Sequence, residues 1–481
     1  MSKTTVFIGV LGVAFISVFT GLFSVFYGSW VDEKMVRIVL VPGVLVLMFL
    51  FFADKTKLFL LLLLFRVTVD PLIEATRIGP LSAGALMNVL VLLIAVLLFA
   101  ERPKVVSGIV FPMWLPLVMA MAIAAVRAPE LGKGVRVFLG YMTSIAMFIA
   151  PFYLKQCQKD LGFTIRLVLL SSLVPAFYAF VDYAQGGMGG VNGNRVSSVF
   201  PHANIFAFYL LVVITLAFYM VKSQFLKVSW FTRWLLLAYI GVLIVDLLLT
   251  KTRSAWAACA VVFFVYGLLF ERKYLLYIVG AAGLAFLVPD VRDRLLELNS
   301  GQIYWSNNMP ANSYEWRKMI WESGIGYMKL SAYPIGYGSQ SFAFYSIDFF
   351  PLANGGNWGA HNVYVQWFFE AGILGVLCAA WLFYRLFAIL KLGMRGDKLG
   401  TVMIITVVLE YLVVAFSDNM LDYLAFNWYF WFVLGTACAI IVAQQKEIRA
   451  EKTSPMPTSI NLRNSSTPVP GGSGPSMRGS R

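Results

Sequence analysis

The sequence predicts an all-α fold: a polytopic membrane helix bundle of about 12–14 transmembrane helices, with one long loop containing an interfacial helix. Three observations predict it. Of the 481 residues, 60% are hydrophobic and only 13% are charged, where an ordinary soluble domain has roughly 45–50% apolar and about 25% charged residues. The mean hydropathy is +0.78. The apolar residues also come in long uncharged runs such as Val6–Tyr27 and Ile205–Val221, and about 18 such residues suffice to cross a bilayer. Together these exclude a water-soluble enzyme, a disordered chain and a nucleic-acid binder, despite a formal net charge of +14.

The runs mark fourteen candidate spans, at 5–28, 36–53, 57–74, 84–100, 105–126, 137–154, 167–184, 203–221, 234–250, 255–270, 274–289, 362–384, 399–416 and 423–443. The first is too long for a signal-peptide core and reads as a retained helix. The third is interrupted by Arg66, Asp70, Pro71 and Glu74. Orientation follows from the bias of Lys and Arg toward cytoplasmic loops. With the N-terminus inside, the inner connections hold Lys55, Lys57, Arg102, Lys104, Lys155, Lys159, Arg166, Lys222, Lys227 and Arg233, and more follow after Arg385. The short outer loops hold fewer cations, among them Arg127, Lys133 and Arg136. Both termini are then cytoplasmic. The organisation is a helical region over 1–289, a long outer loop over 290–360, further spans over 361–445 and a tail over 446–481. That tail is rich in Ser, Pro, Gly and Thr, and is expected to be disordered because it buries too little to offset its ordering entropy.

Functional-looking polarity collects on the outer face. Gly186–Pro201 carries Arg195 and leads into His202 and Asn204 at a helix start. Lys251-Thr252-Arg253-Ser254 sits between two apolar runs, and the long loop ends in Trp358-Gly359-Ala360-His361-Asn362-Val363-Tyr364. Some of these have plainer explanations. Lys251 can snorkel to headgroups, Arg195 can be a solvated loop charge, and His202 can cap its helix. Arg253 lies among small residues beside Trp256, where a buried guanidinium needs an anionic partner. His361 has Asn362, Tyr364 and Gln366 nearby and suits proton transfer. The segment Ser313–Lys329 repeats Trp316, Ile320, Gly324 and Tyr327 at helical spacing, too short to span, so it reads as an interfacial helix with Arg317 beside its apolar face. The four cysteines are isolated, and there is no phosphate-binding loop, H-E-x-x-H pair or His/Cys cluster. Neither a metal nor another cofactor is expected.

In this order the blocks resemble the O-antigen ligase and O-antigen polymerase superfamily of bacterial inner membranes. They are Arg195-Val196-Ser197-Ser198-Val199-Phe200 leading to Asn204, Thr250-Lys251-Thr252-Arg253-Ser254-Ala255-Trp256, and Trp316-Arg317 before Pro334-Ile335-Gly336-Tyr337-Gly338. The last is His361-Asn362-Val363-Tyr364-Val365-Gln366 running to Glu370-Ala371-Gly372-Ile373-Leu374-Gly375. The resemblance covers roughly 190–380 and implies a metal-independent, inverting glycosyltransferase in the inner membrane, with its site facing the periplasm. It implies a donor glycan on undecaprenyl pyrophosphate and an acceptor that is a second glycan or lipid A–core. Arg195, Arg253 and Arg317 would hold the pyrophosphate and His361 would act on the acceptor hydroxyl, with His202, Asn204, Asn362 and Tyr364 in support. Polymerase and ligase remain alternatives, with a lean to the polymerase because the long loop has room for two glycans. The competing classes are a transporter or flippase of lipid-linked oligosaccharide, which would use Arg66, Asp70, Glu74 or Glu410 within the membrane, and a structural export subunit.

Overall fold

A computed structural model describes residues 33–71, 77–78, 81–187, 195–296 and 313–453. Most of these residues are helical. The chain divides into two units, Met1–Ile441 and Val442–Arg481. The expected span 5–28 lies outside the described residues. The spans at 36–53 and 57–74 appear as α1 (Glu33–Phe65), broken at Asp54 where the backbone is extended at φ −162° and ψ 88°. Its helix ends at Phe65, and Arg66 and Asp70 pair across the turn that follows; residues 72–74 of the expected span lie outside the described residues. A two-residue antiparallel ladder, Arg77–Ile78 with Leu81–Ser82, comes next.

The remaining spans follow the hydropathy pattern: α2 (Ala83–Glu101), α3 (Ser107–Val126), α4 (Leu131–Ile149), α5 (Gly162–Ala184), α6 (Ala203–Lys222), α7 (Trp230–Leu249), α8 (Arg253–Leu269) and α9 (Lys273–Phe286). The long connection folds as α10 (Pro289–Leu296), α11 (Ser313–Tyr327) and α12 (Ser341–Phe349), before α13 (Val363–Gly393), α14 (Lys398–Val414) and α15 (Leu424–Thr453). Among the described residues, eight helices are long and apolar enough to cross a membrane, while α8 and α9 are shorter apolar helices. The sequence puts the start of the tail at residue 446. Lys446, Glu447, Arg449 and Glu451 are good helix formers, and they carry α15 to Thr453; residues 454–481 lie outside the described residues.

Helix α6 is the central pillar, buried on every side, with α5, α7, α8 and α14 packed around it. Its ends are set by capping: His202 accepts the amide of Asn204 at the start, and the amide of Ser223 bonds the carbonyl of Tyr219 at the finish. Side-chain caps of this kind satisfy amides that the helix cannot.

The stripe Trp316, Ile320, Gly324 and Tyr327 is the face by which α11 packs. Ile320 joins Phe342, Phe350 and Phe369 in a buried cluster, and Tyr327 stacks on Phe369 at 6.5 Å. Burying each such side chain contributes roughly 1.5–3 kcal/mol, enough to hold the loop against the bundle.

Helix α13 is broken at Gly372, which has φ 67°. The backbone of Pro334-Ile335-Gly336-Tyr337-Gly338 fills the break. Ile373 and Leu374 donate to the carbonyls of Tyr333 and Pro334 at 2.8 and 3.1 Å, while Tyr337 and Gly338 donate to Phe369 and Glu370 at 2.9 Å each. A Cβ on Gly336 would lie 2.3 Å from the Glu370 carbonyl carbon, and one on Gly372 would lie 2.5 Å from that of Pro334. Two motifs far apart in the chain therefore form one backbone joint, in which close approach and positive φ both require glycine.

Candidate active site

The joint fixes the first part of α13, and with it the residues that precede the helix. Asn362 is the N-cap: its Oδ1 accepts the amides of Tyr364 and Val365 at 2.9 and 3.1 Å. Its own amide donates to Asn419 Oδ1 at 3.2 Å, and Val363 donates to the carbonyl of Ala415 at 2.9 Å. The hydroxyl of Tyr364 donates to the Leu412 carbonyl at 2.7 Å. Both supporting candidates thus anchor α13 to the end of α14. Trp321 Nε1 holds the Ala360 carbonyl at 2.6 Å from the other side. Between these anchors His361 adopts φ 47°, a left-handed conformation uncommon outside glycine.

In this position the imidazole has Trp316 edge-on at 5.7 Å between ring centroids, and its Nδ1 lies 3.6 Å from Asp418 Oδ1. Asp418 sits in the turn between α14 and α15 and is 1% exposed. It accepts the amide of Asn419 at 2.9 Å and hydrogen bonds from Tyr423 and from Asn204 Nδ2. Burial alone would raise its pKa, but interactions with His361 and the bonds from Tyr423 and Asn204 prevail and hold it at about 2. A charged, fully bonded carboxylate therefore stands behind His361.

Asn204 bridges to the arginine block. Its Oδ1 accepts from Arg195 Nη2 at 2.5 Å and from Thr252 Oγ1 at 3.2 Å. Arg195 also donates from Nε to the Thr250 carbonyl and from Nη2 to Thr252 Oγ1, both at 2.9 Å. Arg253 is the first residue of α8, directly after Thr252. Arg317, on α11, is half-buried. Desolvation lowers its pKa while Asp418 and Tyr423 oppose the fall, and it makes no hydrogen bond or ion pair among the described residues. His202 is solvent-accessible at the start of α6. Desolvation lowers its pKa, Asp418 opposes, and Arg195, His361 and Arg317 add to the fall. One electrostatic neighbourhood therefore contains Arg195, His202, Asn204, Arg317 and His361, with Arg253 at its edge.

Sequence reasoning missed Asp418. The signal available was the polar triplet Ser417-Asp418-Asn419 between two apolar runs. Arg136, one of the short outer-loop cations, lines a cavity of 440 Å³ whose wall includes Asp422. The pKa of Asp422 is pushed up to about 6 by burial and by Asp418, with His361 opposing.

These features define a multi-pass membrane protein with a histidine–carboxylate pair and several arginines gathered at one end of the bundle. Residues 238–380 match the family model described as O-antigen ligase. The match contains Arg253, Arg317 and His361 but not Arg195, and over these residues the chain is similar to that family. No curated protein matches the chain.

Proposed function

We propose that the protein transfers a glycan from undecaprenyl pyrophosphate to an acceptor hydroxyl, on the periplasmic side of the inner membrane and with inversion. The observation that carries this reading is the pairing of His361 with the buried Asp418 carboxylate, next to a half-buried Arg317 that makes no hydrogen bond or ion pair among the described residues. With Nδ1 turned to Asp418, Nε2 is the nitrogen left to take the acceptor proton. The acceptor oxygen bonds the anomeric carbon as the carbon–oxygen bond to pyrophosphate breaks. The proton goes to His361, and the electron pair stays on the leaving phosphate oxygen. Asp418 steadies the imidazolium that forms. Guanidinium groups match phosphate oxygens in fixed geometry and keep their charge, so Arg317 and Arg253 would hold the pyrophosphate. Arg195, whose Nε and Nη2 are engaged by protein acceptors, adds its charge and fixes Asn204. The sugar arrives already activated, so these steps call on no metal or nucleotide. An O-antigen or exopolysaccharide polymerase and a ligase to lipid A–core use this chemistry equally.

The transporter or flippase reading draws on different residues. Asp246 and Glu410 are buried within spans, and both Asp246 carboxylate oxygens and Glu410 Oε2 lack hydrogen-bond partners among the described residues. A gel profile of surface and lipid-linked glycans separates the readings. In a deletion strain, wild type should restore the profile and His361→Ala should not. Accumulated single repeat units then identify a polymerase, and long chains left on the lipid identify a ligase. Full restoration by His361→Ala at normal protein level favours the transporter.

A further inference from the structure

The two histidines of the chain have opposite hydrogen-bonding roles. His361 turns Nδ1 to Asp418 at 3.6 Å, which leaves Nε2 as its accepting nitrogen. His202 is the reverse case. It is the N-cap of α6, extended at φ −148° and ψ 138°, and its Nδ1 accepts the Asn204 amide at 3.1 Å. A ring nitrogen accepts only when it carries no proton, so the neutral imidazole has its hydrogen on Nε2. With Nδ1 turned to the helix start, Nε2 lies at the far side of the ring, and it makes no hydrogen bond among the described residues. Capping thus fixes His202 as a donor that the protein itself does not use.

The surrounding groups say what such a donor can serve. Asp418 acts on His202 from the turn between α14 and α15, Arg195 from the segment before α6, His361 from the start of α13 and Arg317 from α11. Asp418 is already engaged by the Asn419 amide, the Tyr423 hydroxyl and Asn204 Nδ2. His202 is solvent-accessible, yet desolvation is the largest influence on it, so the ring borders a recess and not open water. Desolvation lowers its pKa, Asp418 opposes, and Arg195, His361 and Arg317 add to the fall. The ring is thereby kept neutral, which preserves both the cap and the Nε2 hydrogen. A sugar hydroxyl could accept from Nε2 but would leave the Arg317 guanidinium uncompensated. A phosphate oxygen answers both.

We infer that His202 is a second catalytic group, donating from Nε2 to a pyrophosphate oxygen of the lipid-linked donor; the inference rests on the transfer reading above. Charge grows on the leaving phosphate as the sugar–oxygen bond breaks, and a donor already oriented stabilises it without rearrangement. His202 keeps its proton throughout, so the proton balance of the transfer is unchanged. One histidine takes the acceptor's proton while the other steadies the leaving group. His202 lies outside residues 238–380, beyond the family match.

The test uses full-length protein in nanodiscs, labelled with nitrogen-15 histidine. Two ring signals result, and either His361→Ala or His202→Ser assigns them. The probe is farnesyl pyrophosphate, with farnesol as the phosphate-free control. At neutral pH the His202 ring should show a bare Nδ1 and a protonated Nε2. Its Nε2 hydrogen should shift downfield with farnesyl pyrophosphate and stay in place with farnesol. A proton on Nδ1, no shift at saturating farnesyl pyrophosphate, or the same shift with farnesol would each overturn the inference. Failure of wild type to bind farnesyl pyrophosphate would remove the donor site and the inference together. Turnover then separates the donor from the cap. Serine is a good N-cap, so His202→Ser keeps the cap, loses the donor and should lower kcat roughly tenfold or more at the wild-type melting temperature. Wild-type kcat in His202→Ser, with loss confined to His202→Ala, would reduce His202 to a cap. The spectra are read without turnover, so an active His361→Ala variant sinks the transfer mechanism and leaves the tautomer and the shift to be judged separately.

Discussion

The two ends of α6 and α14 treat charge in opposite ways. At the Lys222 end, Glu271 accepts from Lys222 and Lys273 at 2.8 Å each and from the Tyr266 hydroxyl. Lys222 also lies over the rings of Tyr266 and Tyr274, 5.5 and 4.9 Å from their centroids. Asp397 caps α14 through the Gly400 amide at 2.8 Å and accepts from Tyr219. Hydrogen bonds from Lys222, Lys273 and Tyr266 hold Glu271 at about 2. At the His361 end, Asp418 is equally well bonded, yet His361 Nδ1 stops 3.6 Å away and Arg317 has no protein partner among the described residues. The first end neutralises its charges internally, which serves folding. The second organises one carboxylate and leaves the Arg317 guanidinium without a protein partner among the described residues, which suits an anionic substrate.

The largest effect that could break this comparison belongs to His361 and Arg317. His361→Ala should lower transfer by about 10²–10⁴-fold, the usual weight of a positioned general base. Arg317→Ala should lower it by about 10²–10³-fold, as expected for losing one stabilising donor at a developing charge. Arg317→Lys should recover only part of it, because an ammonium lacks the planar fork. Both are read as turnover by reconstituted protein at matched thermal stability; wild-type turnover in either variant would mean the open charges are incidental.

Asp418→Asn comes next, with an expected loss of roughly 10²-fold through a poorly supported imidazolium. It also carries a pH signature. The folded pKa of about 2 lies below the ordinary 3.8, so this carboxylate's contribution to stability is complete above 3.8 and is lost as the pH falls toward 2. Melting curves of wild type in detergent should fall over that window more steeply than those of Asp418→Asn.

Much of the architecture was legible in the sequence, since bilayer crossing is written in hydropathy alone. Most spans match the apolar runs to within a few residues, while α13 runs on to Gly393 and α15 to Thr453, past the expected 384 and 443. The histidine and arginine blocks also stood out, as polar residues at span ends. The break in α13 was hidden, because Glu370-Ala371-Gly372-Ile373-Leu374-Gly375 continues an apolar run and the groups that fill the break lie at 333–338. Asp418 was hidden for the same reason: its partners Asn204 and His361 are brought to it only by packing. Local pattern reports elements, and the site is made by contacts between distant ones.

That joint supplies a smaller prediction. Gly336→Ala should destabilise the protein by at least about 1–3 kcal/mol, the cost of a strained backbone position, and should lower activity through misplacement of His361. Thermal unfolding with and without loss of turnover measures both. The smallest effect is expected at the neutralised end. Glu271→Gln breaks partly exposed ion pairs, so it should shift stability by no more than about 1 kcal/mol and leave transfer unchanged; a large loss of turnover there would erase the contrast between the ends.

The most direct test uses purified protein in nanodiscs with lipid-linked glycan from the native strain, following release of undecaprenyl pyrophosphate. Wild type and the intramembrane variants Asp246→Asn and Glu410→Gln should release it at similar rates, and His361→Ala should not. Release by His361→Ala at the wild-type rate, or its abolition by Glu410→Gln with His361 intact, would contradict the assignment of transfer to the His361–Asp418 centre.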